Sequence, residues 1–133
     1  MWQKKIHIES SMEKKANQWH LCIGRWQILH DGHKNMFQQI LDAGGNLCIA
    51  IRDTQVDEKN PFTTAEVFST IHDFYKELIQ AGRVKVIKIP DICSVEFGRG
   101  VGYDIIEHIP PPEIADISAT KIRQQMREDG KLW

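Results

Sequence analysis

The sequence predicts a single α/β domain built on an open parallel sheet with helices on both faces. Short apolar runs alternate with segments of helical periodicity, and the longest run is apolar nearly throughout, as in strands covered on both faces. A chain of 133 residues fits one compact core and leaves little room for a second.

Residues 1–18 are lysine-rich, with only a brief alternation around Ile6 to Ile8, and are set apart as an N-terminal extension or edge element; residues 19–133 form the domain proper. Leu21-Cys22-Ile23, closed by Gly24, reads as the first buried strand. Met36, Phe37, Ile40 and Leu41 share one helical face in a segment that opens after Asp31-Gly32 and stops at Gly44-Gly45. Leu47 to Ile51 is the second strand. After Pro61, Thr63 and Glu66 have capping-box spacing, and Val67, Ile71, Phe74 and Leu78 form a stripe running toward Gly82. Val84, Val86, Ile87 and Ile89 make a third strand, Ser94 to Phe97 and Tyr103 to Ile109 are shorter candidates, and a last helix begins near Ser118.

Apolar residues make up 41% of the chain, charged residues 26%, and the net charge is −1. This balance disfavours a dedicated nucleic-acid binder, so any phosphate handling must be local. No apolar run approaches bilayer-spanning length and no signal core follows Met1 to Lys5, so a cytoplasmic protein without membrane partners is expected. Cys22, Cys48 and Cys93 are odd in number, far apart and beside apolar stretches, as expected for buried free thiols rather than a disulfide framework.

Open α/β sheets bind ligands beyond the carboxyl ends of their strands, which selects the loops after Ile23, after Ile51 and after Ile89 or Phe97. The first of these reads Gly24-Arg25-Trp26-Gln27-Ile28-Leu29-His30-Asp31-Gly32-His33 and places two histidines at a helix start. Unpaired N–H groups there attract phosphate, imidazoles add donors, and Gly32 removes a Cβ where backbone and ligand must approach. Nucleotidyl transfer asks for positioned donors more than for a covalent catalyst. A metal pair or two solvated histidines are the competing readings; zinc is disfavoured because His7, His20, His72 and His108 show no ligand spacing with the pair.

Gly24 to His33 resembles the first signature of the HxGH nucleotidyltransferase superfamily, the cytidylyltransferase-like fold, which is a Rossmann-like sheet. The lead-in Gly24-Arg25-Trp26-Gln27 is most similar to the nicotinamide-mononucleotide adenylyltransferase branch. Ile117-Ser118-Ala119-Thr120-Lys121-Ile122-Arg123 resembles the late Ser/Thr-rich signature, and Asn60-Pro61-Phe62-Thr63 with Glu66 resembles the opening of the second helix in archaeal-type members. The resemblance implies catalytic roles for His30, His33 and Arg123 and nucleotide binding by Gly24, Arg25, Trp26, Gln27, Gly32, Ser118 and Thr120. Mg²⁺ would arrive with the triphosphate rather than on protein side chains. Independently of the resemblance, Ser118 is a good N-cap, Thr120 falls in the first turn and Arg123 lies three residues further on the same face, where it can clamp phosphate. Trp26 reads as a packing or loop residue more readily than as a stacking platform.

Arg52 and Asp53 after the second strand, and Arg99 and Gly100 in the Gly98 to Tyr103 turn, are candidate acceptor-binding residues, against an exposed salt pair and an ordinary glycine turn. The chain lacks the Gly-Thr-Phe-Asp and Thr-Glu-Gly-Ile-Ser segments of the cytidylyltransferase branch, which favours ATP over CTP, although its length is nearer to that branch. The expected function is transfer of a nucleoside monophosphate to a small, phosphorylated acceptor with release of pyrophosphate, in a homodimer. An inactive nucleotide-binding sensor or assembly module of the same fold is the alternative, and a metal-dependent hydrolase a third.

Overall fold

The structure, a computed structural model, describes residues 3–6, 18–100, 102–115 and 118–132. In chain order these form β1 (Gln3–Ile6), β2 (Trp19–Gly24), α1 (Asp31–Asp42), β3 (Asn46–Asp53), α2 (Thr64–Phe74), α3 (Lys76–Gln80), β4 (Val84–Pro90), β5 (Ile106–Ile109), α4 (Pro112–Ala115) and α5 (Ala119–Glu128). The open parallel sheet is present, with strand order β2-β3-β4, while β1 and β5 pair antiparallel as a separate ribbon. Gln3–Ile6 forms one strand of that ribbon, and the alternation at residues 7 and 8 lies outside the described residues.

β3 is central because it is apolar on both faces. Leu47, Ile49 and Ile51 are fully buried toward the helices, and Ala50 is fully buried on the opposite face. Register runs Trp19 with Asn46 to Gly24 with Ile51 on one side of β3, and Leu47 with Val84 to Asp53 with Pro90 on the other. All three carboxyl ends thus open at the same edge. Right-handed crossovers between strands in consecutive order place α1 and α2 on one face, and the Phe37 and Tyr75 rings meet there with centroids 6.1 Å apart. The two crossover helices thus share one core.

Helix boundaries follow local chemistry. Thr63 and Glu66 form the expected capping box, with Thr63 Oγ1 accepting from Glu66 N and the Glu66 carboxylate from Thr63 N. The stripe toward Gly82 is not one helix. Tyr75 adopts φ −102° and ψ 17° between α2 and α3, turning its ring into the core against Phe37, and Ile79 N then resumes helical bonding to Tyr75 O. At the opposite edge of the sheet Arg83 donates to the carbonyls of Leu41 and Gly45, satisfying carbonyl groups at and beyond the end of α1.

Ser94 to Phe97 is not a strand: it is irregular, with Val95 and Phe97 exposed. Cys22 and Cys48 are half-buried free thiols, and Cys93, in that same irregular stretch, is an exposed one. No helix among the described residues is long and apolar enough to cross a membrane.

This core assigns different costs to two apolar residues. Phe37→Ala, at a site with no exposure, is expected to lower unfolding free energy by about 3–5 kcal/mol. Leu21→Ser, at a site 59% exposed, should change it by less than about 0.5 kcal/mol. Urea denaturation of both variants measures the difference.

Candidate active site

The loop after β2 is held by two residues whose side chains turn inward, behind a glycine that makes room for them. Gly24 ends the strand, and a Cβ there would stand 2.7 Å from the Trp26 ring, so only glycine lets the indole lie across the strand end. Trp26 itself has φ +50°, a left-handed conformation that costs of order 1–2 kcal/mol for a bulky residue. Its burial offsets that cost: the indole N–H donates to Ala50 O at 2.9 Å, and its ring meets His33 and Phe37 edge-on at 4.9 and 5.2 Å. Gln27 is also buried; its Nε2 donates to Phe62 O at 3.1 Å and its Oε1 accepts from Phe62 N at 3.0 Å. That bidentate pair joins the β2–α1 loop to the segment that opens α2.

Beyond these anchors the two histidines form the N-terminal cap of α1. His30 Nδ1 accepts from the backbone N–H of Gly32 at 3.0 Å and of His33 at 3.4 Å, while His33 Nδ1 accepts from His30 N at 3.4 Å. The rings stack, with centroids 3.7 Å apart and planes 17° from parallel. Gly32 has to be glycine for this: a Cβ would stand 2.8 Å from His30 Cε1. Ile114 of α4 lies across the same turn, 3.6 Å from that point.

An Nδ1 that accepts a backbone N–H must carry its lone pair, so the neutral tautomer of each ring has its proton on Nε2. Electrostatics favour the neutral form. Burial pushes the His33 imidazole down to about 4, helped by the neighbouring His30 and opposed by a hydrogen bond to the Ile28 backbone. Burial also lowers His30, against the opposing pull of Asp31. The site presents two neutral N–H donors beside the positive end of a helix.

α5 carries the residues of the late motif. Ser118, in extended conformation, caps it by accepting from Lys121 N at 3.1 Å. Arg123 is buried, and its Nη2 donates to Thr120 Oγ1 at 3.3 Å, so the threonine orients the guanidinium. Burial disfavours the charged form of Arg123, and the charges of Arg127 and Arg25 oppose it further, with Asp57 opposite. Ile117 lies outside the described residues.

Two features were not legible beforehand. Asp57 closes an Asx-type turn, its Oδ1 accepting from Lys59 N, Asn60 N and Asn60 Nδ2 at 2.9, 2.7 and 3.0 Å, and these bonds hold its carboxyl below the usual range. Arg127 donates to the Glu58 carbonyl, fastening that turn to α5. The Asp-x-x-Asn spacing was a signal for the first; nothing local signalled the second.

Two of the acceptor candidates have protein partners. Arg52 forms an ion pair with Asp91 at 2.7 Å and donates to Ile92 O at 3.0 Å, while Asp53 accepts from Thr64 Oγ1 at 2.7 Å. Both tie strand ends to the following loops. Arg99 and Gly100 are exposed, and Gly100 turns with φ +73°. A cavity of about 850 Å³ lies instead along the outer edge of β2, lined by Trp19, Leu21, Trp26, Met36, Tyr103 and Ile106 among others. Trp26 belongs both to its wall and to the packing around His33.

The chain is 28% identical over 142 residues to the nicotinamide-nucleotide adenylyltransferase of Thermococcus sibiricus (strain DSM 12597 / MM 739), covering 85% of this chain and 75% of that protein. It is 28% identical over 141 residues to the protein of the same name from Thermococcus onnurineus (strain NA1), covering 85% and 74%. The chain is a distant relative of these nucleotidyltransferases. No protein-family model matches it. The aligned stretch exceeds the chain's own 133 residues, so these nucleotidyltransferases carry residues that this one lacks, in line with the longer adenylyltransferase chains expected from the resemblance.

The histidine cap predicts an acid-sensitive site. With folded values below the usual 6.5, the unfolded chain binds protons first, so stability is full above pH 6.5 and declines as pH falls toward 4. Denaturation midpoints across that range should fall more steeply for the native chain than for His33→Asn; equal slopes would show that His33 does not titrate as described.

Proposed function

We propose that the chain is an adenylyltransferase that moves AMP from MgATP to a phosphorylated acceptor of the nicotinamide-nucleotide type. The stacked, reciprocally capping His30–His33 pair carries the reading. A phosphate oxygen of the acceptor attacks the α-phosphorus in line, forms the new P–O bond and breaks the bond to the bridging oxygen, and pyrophosphate leaves with its electron pair. Charge grows on the equatorial and bridging oxygens along that path. Neutral Nε2–H donors fixed by a helix cap stabilise such charge without reorganising and without competing for the acceptor's proton.

Ser118, Thr120 and Arg123 hold the β and γ phosphates in this scheme. Trp26 and Gln27 act from beneath the loop, by fixing the histidines against β3 and the α2 start, rather than by touching the nucleotide. MgATP enters as the metal-bound substrate, with CTP the second choice. For the acceptor, the names of the two relatives point to the nicotinamide-nucleotide class, and the cavity beside Trp26 is the space offered for its ring.

The capping geometry allows stability and chemistry to be separated. His30→Asn keeps a side-chain acceptor at the N-cap and should cost less than about 0.5 kcal/mol of stability, yet lower pyrophosphate release at least about 100-fold. His33→Ala should lose turnover similarly and destabilise by about 1 kcal/mol through the lost cap partner. A pyrophosphate-release screen crossing ATP and CTP with nicotinamide mononucleotide, glycerol phosphate and phosphocholine tests the assignment. Release with none of them, or undiminished release by both variants, overturns it.

A further inference from the structure

Among the described residues β2 and β4 are the two edges of the parallel sheet, and they differ in kind. β4 carries Lys85 and Lys88, both exposed, and charged side chains of that sort keep a sheet edge from pairing with another chain. β2, from Trp19 to Gly24, has no Lys, Arg, Asp or Glu.

Alternation along the strands also separates the two faces of the sheet. α1 and α2 cover the face of Leu47, Ile49 and Ile51. Register aligns Trp19 with Asn46, Leu21 with Cys48 and Cys48 with Lys85, so these side chains share the other face, toward the amino-terminal ends of the strands. Trp19 and Leu21 are each about half exposed there. Val95 and Tyr103, about as exposed, stand with them around the cavity beside Trp26, and Phe97 follows in the same irregular stretch as Val95. Together these side chains offer on the order of 500 Å² of apolar surface to solvent, a size at which a patch marks a binding surface.

Charge and area identify what binds. Around the patch Lys85 and Arg99 are exposed cations, Glu96 is an exposed carboxylate and Asp104 a half-buried one. A rim of positive sign alone would select nucleic acid or an anionic lipid surface. A rim of both signs complements itself when a two-fold axis sets one copy of a chain against another. Two such patches bury about 1,000 Å² of apolar surface before flanking residues are counted, which reaches the range of a specific dimer.

We infer that this face binds a second copy of the chain, with Trp19 and Leu21 of each copy near the axis of a two-fold interface. Because Trp19, Leu21, Val95 and Tyr103 also wall the cavity beside Trp26, the partner copy closes its open side.

Sedimentation velocity over a range of protein concentrations reads the assembly directly, and the native chain is expected to be mostly dimeric at about 100 µM. Leu21→Lys sets two cations against each other near the axis. It should weaken the dimer at least about 100-fold while circular dichroism stays native-like, since Leu21 is 59% exposed within one chain. Val95→Lys, in the irregular stretch, should weaken it as well and decides the matter if Leu21→Lys does not fold. Phe68→Lys, on the solvent side of α2, should leave the dimer unchanged. A dimer that survives both Leu21→Lys and Val95→Lys, or that Phe68→Lys alone disrupts, sinks the inference. So does a native chain that stays monomeric at about 100 µM, including one whose patch takes up an apolar dye, which would assign the face to a different partner. No substrate enters the measurement, so a monomer leaves the nucleotidyltransferase reading standing and an inactive dimer leaves the interface standing.

Discussion

The reciprocal cap at the start of α1 is the interaction on which the site depends. Two backbone N–H groups of Gly32 and His33 end on His30 Nδ1, and His30 N ends on His33 Nδ1. A helix terminus must satisfy such groups in some way, and here the partners that do so are two imidazoles stacked on one another. Capping fixes the tautomer, stacking fixes the relative orientation, and burial keeps both rings neutral. Serine or aspartate would cap as well but would leave no N–H to offer a phosphate.

Everything beneath the cap serves to hold it at the carboxyl edge of the sheet. Trp26 accepts a left-handed backbone because its indole is tied to Ala50 and packed on Phe37 and His33. Gln27 binds the loop to Phe62 as a strand neighbour would. Arg127 in turn links α5 to the same region through Glu58. Three segments far apart in sequence thereby share one rigid base, as nucleotidyl transfer requires when rate comes from positioning rather than from a nucleophile on the protein.

Much of this was legible in the sequence. The β3 run announced a strand buried on both faces, Thr63 and Glu66 announced a cap, and Ser118 announced the start of α5. Misreadings arose where the outcome depended on distant partners. Ser94 to Phe97 has strand-like residues yet forms an irregular stretch. The stripe into Gly82 breaks at Tyr75 because its ring is drawn toward Phe37. For Arg52 and Asp53, whose local setting suggests ligand contact, the structure adds protein partners in Asp91, Ile92 and Thr64 that no local pattern gives.

By itself the sequence determined the alternation of strands and helices, the loops that fall at strand ends, and which residue types stand at two helix starts, because periodicity, capping and glycine placement act over a few residues. Tertiary structure alone decided that His30 and His33 cap one another as neutral stacked rings, that Trp26 and Gln27 face inward, and that Arg127 fastens α5 to Glu58. Those outcomes rest on burial and on hydrogen bonds between segments tens of residues apart, whose strength depends on distances that no local pattern encodes.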